Sequence, residues 1–251
     1  MDLNSFFASC PRAALAFSGG TDSAYVLYAG LSCGADILPY YVKTPFQPRF
    51  ELKDALSLCR GLNVPLKVIE LDVLACPSVR DNPTDRCYHC KTLLLSAIAS
   101  AAREDACSVI LDGTNASDAE ADRPGMRALA ERGVLSPLRI CGLTKAEIRR
   151  RSRDAGLFTW NKPAYACLAT RIRSGERITA EKLRAVEESE EYLFSLGFTD
   201  FRVRTSDGNA LLQFTEDQLA DAFGREAQIR TRLSRFFHEI RIDPKGRINS
   251  I

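Results

Sequence analysis

The segment Ser18-Gly19-Gly20-Thr21-Asp22-Ser23 lies between a short apolar run, Ala13 to Phe17, and a helix-forming stretch from Ala24 to about Cys33. Two adjacent glycines let a backbone turn tightly and approach an anion closely. Hydroxyl side chains flank them. A helix start adds oriented N–H groups and the positive end of the helix dipole. Together these are the groups that hold a phosphate or pyrophosphate. Asp22 would repel a bare phosphate, so its presence points to a bridging Mg2+. The spacing is neither GxxxxGK[ST] nor GxGxxG, which argues against a Walker A loop and a dinucleotide site. The plain alternative is a strand–helix turn with a Ser/Asp cap.

Thiols form the second group of reactive residues. Cys87 and Cys90 make a C-x-x-C at the start of a helix, a pattern shared by redox, zinc and iron–sulfur sites. There is no second C-x-x-C, so a zinc site of four cysteines lacks ligands. His89 is an awkward co-ligand beside Cys90. Cys33, Cys59 and Cys107 lie beside apolar runs and read as small core residues. Cys10, Cys76 and Cys141 carry no assigned role.

These residues sit in a chain of 251 residues with 34 Lys plus Arg against 32 Asp plus Glu, a net charge of +2. Apolar residues make up 45% and charged residues 26%. That balance suits one or two globular domains with a real core. It excludes a disordered chain, a fibrous repeat and a disulfide mini-protein, and gives no argument for nucleic acid or membrane. The N-terminus has no basic n-region, and no apolar run approaches the roughly 18 residues needed to span a bilayer. The expectation is a cytoplasmic protein whose nine cysteines are reduced.

The elements that position the loop alternate. Strands are expected at Ala13–Phe17, Ile37–Val42, Leu66–Leu71 and Ser108–Leu111, and helices at Ala24–Cys33, Glu51–Leu62 and Tyr88–Arg103. This alternation predicts an α/β fold, an open parallel sheet with helices on both faces. Asp112, Gly113, Thr114 and Asn115 follow the fourth strand, where ligands bind in open α/β sheets. For each of them an Asx-type turn is the equal alternative. Pro124 to Arg132 forms a further helix. Thr144 caps another, with Glu147 completing a capping box. That helix carries Lys145, Arg149, Arg150, Arg151 and Arg153, read as a hydrated basic face. The composition shifts after Arg171, so the boundary is placed between residues 174 and 175. Residues 1–174 would form the nucleotide domain, and 175–251 a small α+β domain for substrate binding or oligomerisation. In FRVRT, Arg202 and Arg204 share one face of a strand, read as solvated.

Ala16 to Ser23, AFSGGTDS, resembles the PP-loop of ATP pyrophosphatases, which cleave ATP to AMP and pyrophosphate while adenylating a substrate. The blocks NPTDRCYHCK, LDGTNASD, DRPGMRAL, SPLRICGLTKAEIR, TWNKP and ACLATRI follow in order. Over about residues 12 to 200 the chain is similar to the LarE-like sulfur transferases. That resemblance implies sulfur insertion into pyridinium-3,5-biscarboxylic acid mononucleotide, toward a nickel-pincer nucleotide cofactor. It also implies that Ser18 to Ser23 and Asp112 to Asn115 hold ATP, with Asp22 on Mg2+.

Cys167, within PAYACLATR, matches the family's cysteine-bearing motif and is the implied sulfur carrier, with Arg171 able to lower its pKa or bind the substrate phosphate. Family members use this cysteine in two ways. In one, it is a single-use donor that ends as dehydroalanine. In the other, a three-cysteine set, here Cys87, Cys90 and Cys167, holds a [4Fe–4S] cluster with one iron free. The cluster is the expectation taken here, on condition that the three thiolates converge. Arg123, Arg202 and Arg204 are further candidates for the substrate phosphate. Relatives form trimer-based hexamers, so a homo-oligomer is expected. Two competing readings remain. A tRNA thiolase would need a basic RNA-binding surface and flanking C-x-x-C pairs. A non-catalytic adenine-nucleotide sensor would bind without releasing pyrophosphate.

Overall fold

The computed structural model describes residues 1–118 and 124–247. The chain runs α1 (Leu3–Ser9), β1 (Arg12–Ala16), α2 (Thr21–Ser32), β2 (Asp36–Lys43), α3 (Arg49–Gly61) and β3 (Lys67–Glu70). Next come α4 (Pro77–Arg80), α5 (Arg86–Glu104), β4 (Ile110–Leu111), α6 (Pro124–Glu131), α7 (Pro137–Ile140) and α8 (Lys145–Asp154). The last elements are α9 (Ala180–Ser195), β5 (Arg202–Ser206), β6 (Asn209–Gln213), α10 (Leu219–Gly224), α11 (Glu226–Leu233) and β7 (Ile240–Ile242). Two compact units emerge, Met1–Val73 with Asp85–Lys162, and Leu74–Thr84 with Pro163–Ile251.

The first unit is built on a four-stranded parallel sheet in the order β3-β2-β1-β4. Parallel strands are covered on both faces, which is why their sequences are nearly continuous apolar runs. Ala13 and Leu15 face α1, α2, α3 and α8, packing in one cluster with Phe7, Val26, Leu58 and Ile148. Ala14, Tyr40 and Val42 face the other way, onto Ile98 and Ala102 of α5. Complete burial of side chains such as Val26 and Leu27 contributes about 1.5–3 kcal/mol each. Cys59 and Cys107 are buried, as expected, whereas Cys33 is half-buried. The order matters for function: β2 lies on one side of β1 and β4 on the other. The crevice beyond the carboxyl ends of β1 and β4 is therefore a topological switch point, where open α/β sheets bind ligands.

The second unit is a three-stranded sheet, β5-β6-β7, backed by helices. β5 and β6 are antiparallel, joined at Asp207-Gly208, and β6 and β7 are parallel. Val203, Leu212, Phe201, Phe214, Leu193 and Ile229 form its core. Residues 163–174 belong to this unit rather than to the first. The reason is packing: Arg171 is buried there, Ile172 bridges Thr205, and Asn82 donates to the carbonyls of Arg173 and Glu176. Among the described residues no helix is long and apolar enough to cross a membrane.

Candidate active site

The loop of residues 18–23 leaves β1 and turns directly into α2. Gly19 has φ +70, and a Cβ on it would stand 3.0 Å from the Ala55 Cβ of α3. Both facts require glycine, since a side chain would be strained and crowded. Gly20 is the N-cap of α2 and offers no side-chain cap. By helix geometry the amides of Thr21, Asp22 and Ser23 have no intrahelical acceptor, so they are available to an anion. Hydroxyls brace the turn. Ser18 Oγ lies 3.1 Å from Ser23 Oγ and accepts from Gly20 N at 3.3 Å. Thr21 Oγ1 donates to the Thr159 carbonyl at 2.8 Å, which ties in the segment after α8.

The loop after β4 meets this turn. A Cβ on Gly113 would lie 2.8 Å from Ser23 N, so only glycine permits the approach. Asp112 is buried and accepts from Thr114 N at 3.2 Å and Ser136 Oγ at 2.6 Å. Asn115 Oδ1 accepts from Ser117 N at 2.8 Å, and Asn115 N donates to Asp118 Oδ2 at 2.9 Å. Asp112 and Asn115 thus shape the turn with their side chains, the local role that the sequence alone allows them. The backbone at Gly113 and the Thr114 segment are what they present to the crevice.

Asp22 is the charged residue of the loop. Its Oδ2 accepts from Lys145 Nζ at 2.7 Å, while Oδ1 is buried without a hydrogen-bond partner. Burial pushes its pKa up, and the Lys145 ammonium opposes that. A buried carboxylate oxygen with no donor fits a divalent cation, which takes oxygen ligands.

The basic helix is not simply a hydrated face. Lys145 reaches Asp22, and Arg149 donates to the carbonyls of Trp160 and Lys162, both at 3.1 Å. Arg151 pairs with Glu147. Arg150 and Arg153 remain exposed beside Asp154. Thr144 Oγ1 accepts from Glu147 N at 3.3 Å, but the Glu147 carboxylate turns to Arg151, so half of the capping box forms. Local spacing places Lys145 in the first turn of a helix. It carries no sign of a partner 123 residues away.

In the first unit, Cys87 is exposed and Cys90 half-buried, one turn apart on α5 and so on one face. Arg86 Nη2 approaches Cys87 Sγ at 3.6 Å. Cys167 belongs to the second unit and is half-buried. Among the described residues no three His, Cys, Asp or Glu side chains form a group able to hold a metal ion. Cys87 and Cys90 thus supply two thiols on one helical turn of the first unit, and the third thiol of the expected set belongs to the second.

Cys167 caps a single 3-10 turn, Leu168–Arg171, and its carbonyl accepts from Thr170 N at 3.0 Å and Thr170 Oγ1 at 2.8 Å. Arg171 is 2% exposed and pairs with the buried Glu190 at 2.8 Å. Glu190 also accepts from Tyr165 Oη and from Val203 N. Arg171 thus stands in the core of its unit, held by Glu190. Its Nη2 is buried without a partner.

The solvated reading of Arg202 is also corrected. Arg202 is buried, donating to the carbonyls of Phe201 at 2.6 Å and Ala164 at 2.9 Å and pairing with Asp200. The Asp200 carboxylate and the two carbonyls replace the water it gives up. Arg204 is exposed and donates to Gln213 Oε1 at 2.6 Å. Burial first, then the guanidiniums of Arg171 and Arg247, lower the pKa of Arg202. Arg171 is paired with Glu190, and Arg202 and Arg247 share Asp200. Arg123 lies outside the described residues.

No family model matches the chain. It is 34% identical to an uncharacterized protein of Synechocystis over 87% of this chain and 82% of that one. It is 30% identical to pyridinium-3,5-bisthiocarboxylic acid mononucleotide synthase of Lactiplantibacillus plantarum, over 84% of this chain and 77% of that one. It is also 30% identical to an uncharacterized protein of Methanocaldococcus jannaschii, over 86% and 82% of the two chains.

Proposed function

Because the chain belongs to the LarE-like family, that of pyridinium-3,5-bisthiocarboxylic acid mononucleotide synthase, we propose that it is an ATP-dependent sulfur transferase. Its substrate would be the carboxylate of pyridinium-3,5-biscarboxylic acid mononucleotide. The observation that carries the reading is the meeting of two glycine turns at the switch point, with the orphaned Asp22 Oδ1 beside them.

A carboxylate resists sulfur nucleophiles because oxide is a poor leaving group. The turn of residues 18–23 and the free amides of α2 would hold the ATP phosphates. Asp22 would hold Mg2+, which neutralises charge on the departing pyrophosphate. The substrate carboxylate attacks the α-phosphorus, the bond to pyrophosphate breaks, and an acyl-adenylate forms. The Cys167 thiolate then attacks the acyl carbon and AMP leaves, giving a thioester. Removal of the Cys167 α-proton breaks its Cβ–Sγ bond. The sulfur leaves with the substrate as a thiocarboxylate, and dehydroalanine remains at position 167. Of the arginines on β5, the exposed Arg204 is assigned to the substrate phosphate, while Arg171 and Arg202 hold the structure beneath it.

The test uses the purified chain with ATP, Mg2+ and the pyridinium mononucleotide. Expected are equal amounts of AMP and pyrophosphate, one thiocarboxylate per chain, and an intact mass reduced by one hydrogen sulfide. Cys167→Ala should release pyrophosphate and make no thiocarboxylate. Repeated turnover with an unchanged mass, in protein purified without oxygen that retains iron and sulfide, would replace the single-use route with a cluster.

A further inference from the structure

The two oxygens of the Asp22 carboxylate have different surroundings. Oδ2 takes the Lys145 ammonium at 2.7 Å, and Oδ1 is buried and unpartnered. Lys145 is fixed at its base, and Asp22 is the partner that holds its tip. The Lys145 amide donates to Ser117 Oγ at 3.0 Å, and the residue opens α8 directly after the Thr144 cap. Its side chain is 31% exposed, and a lysine is a compact charge on a flexible four-carbon stem. Asp118 adds negative charge to the field at Asp22, and Arg149 adds positive charge.

From this asymmetry we propose that Lys145 is a stand-in cation for Asp22. It neutralises the carboxylate until nucleotide arrives, then passes from Asp22 to the polyphosphate as a divalent cation takes over the carboxylate. The inference rests on the nucleotide reading above. The charges balance at each stage. Lys145 and Asp22 cancel each other before binding. Afterwards the divalent cation satisfies Asp22, which frees one positive charge within a side chain's reach of the α2 N-terminus. Oδ1 is the oxygen left without a donor for the cation to take.

Wild type, Lys145→Met and Lys145→Arg are compared in two binding measurements, Mn2+ alone by electron paramagnetic resonance and ATP with Mg2+ by calorimetry. Lys145→Met should bind Mn2+ alone at least tenfold more tightly and Mg·ATP at least tenfold more weakly, while Lys145→Arg stays near wild type. A structural lysine would move both affinities the same way. Mn2+ affinity unchanged or weakened in folded Lys145→Met overturns the proposal, as does unchanged Mg·ATP affinity. Should Lys145→Met not fold, wild type supplies the readout. The amine-labelling rate of Lys145, followed by peptide mass, must change when Mg·ATP binds, and an unchanged rate with nucleotide bound overturns the proposal. Wild type that binds no Mg·ATP sinks the nucleotide reading along with it.

Discussion

Gly113 sits so close to Ser23 that a Cβ on it would lie 2.8 Å from the Ser23 amide nitrogen. This contact joins the turns after β1 and β4 across the switch point of the sheet. The obstacle is backbone at a helix start, which cannot swing aside as a flexible side chain would. Gly113→Ala should therefore cost about 1–3 kcal/mol of stability and raise the KM for ATP at least tenfold by displacing α2. Calorimetric unfolding and pyrophosphate release measured against ATP concentration check this. An unaltered KM would separate the two turns functionally.

Arg171 and Glu190 have side chains only 1% and 2% exposed. Removing one member leaves an unpaired charge in the core, a loss of about 3–5 kcal/mol. Arg171→Met and Glu190→Gln should each lower the Tm sharply. The double variant Arg171→Met/Glu190→Met should recover part of the loss, since neither charge is then stranded. Recovery of stability without recovery of sulfur transfer would assign Arg171 a task at the substrate anion as well as in the core.

The thiols should react in an order set by exposure. Burial pushes Cys59 up from 9.0 to about 11, so it is protonated at neutral pH and shielded, whereas Cys87 is exposed. A maleimide at pH 7 should modify Cys87 first and Cys59 only on unfolding. Above pH 9 the unfolded Cys59 loses its proton while the folded one keeps it. Its contribution to stability is therefore full below pH 9 and is lost as pH rises toward 11. Cys59→Ala should flatten that part of the stability profile. Labelling of Cys59 in the folded chain at pH 7 would contradict its burial.

Much of the first unit is legible in sequence because its signals are local. Ala13 to Phe17 and Ile37 to Val42 are apolar runs of strand length, and the observed strands, Arg12–Ala16 and Asp36–Lys43, fall within a residue of them. Gly19 and Gly20 announce a tight turn by composition alone. The short helix α1 gives no such signal, since Leu3, Phe6 and Phe7 supply too few repeats to establish a helical period. Pairings between distant segments are what the sequence does not show. Lys145 reads as one cation among several on a charged helix, and only the fold brings it to Asp22. Arg202 alternates with Val203 as a solvated residue would, yet Asp200 and the Ala164 carbonyl draw it inside. The C-x-x-C spacing correctly places Cys87 and Cys90 on one helical turn, but a third ligand is a matter of tertiary structure.

Asn82 carries φ +56, is fully buried, and donates its amide to the carbonyls of Arg173 and Glu176, while its own carbonyl accepts from Gly175 N. Leu74–Thr84 is thus an early strap completing a body otherwise made from Pro163 onward. On the ribosome this strap emerges long before its partners, so that body can close only once translation has passed Glu176. A gene fragment beginning at Pro163 would encode an incomplete body. An excised version must carry the strap as a fused or added peptide.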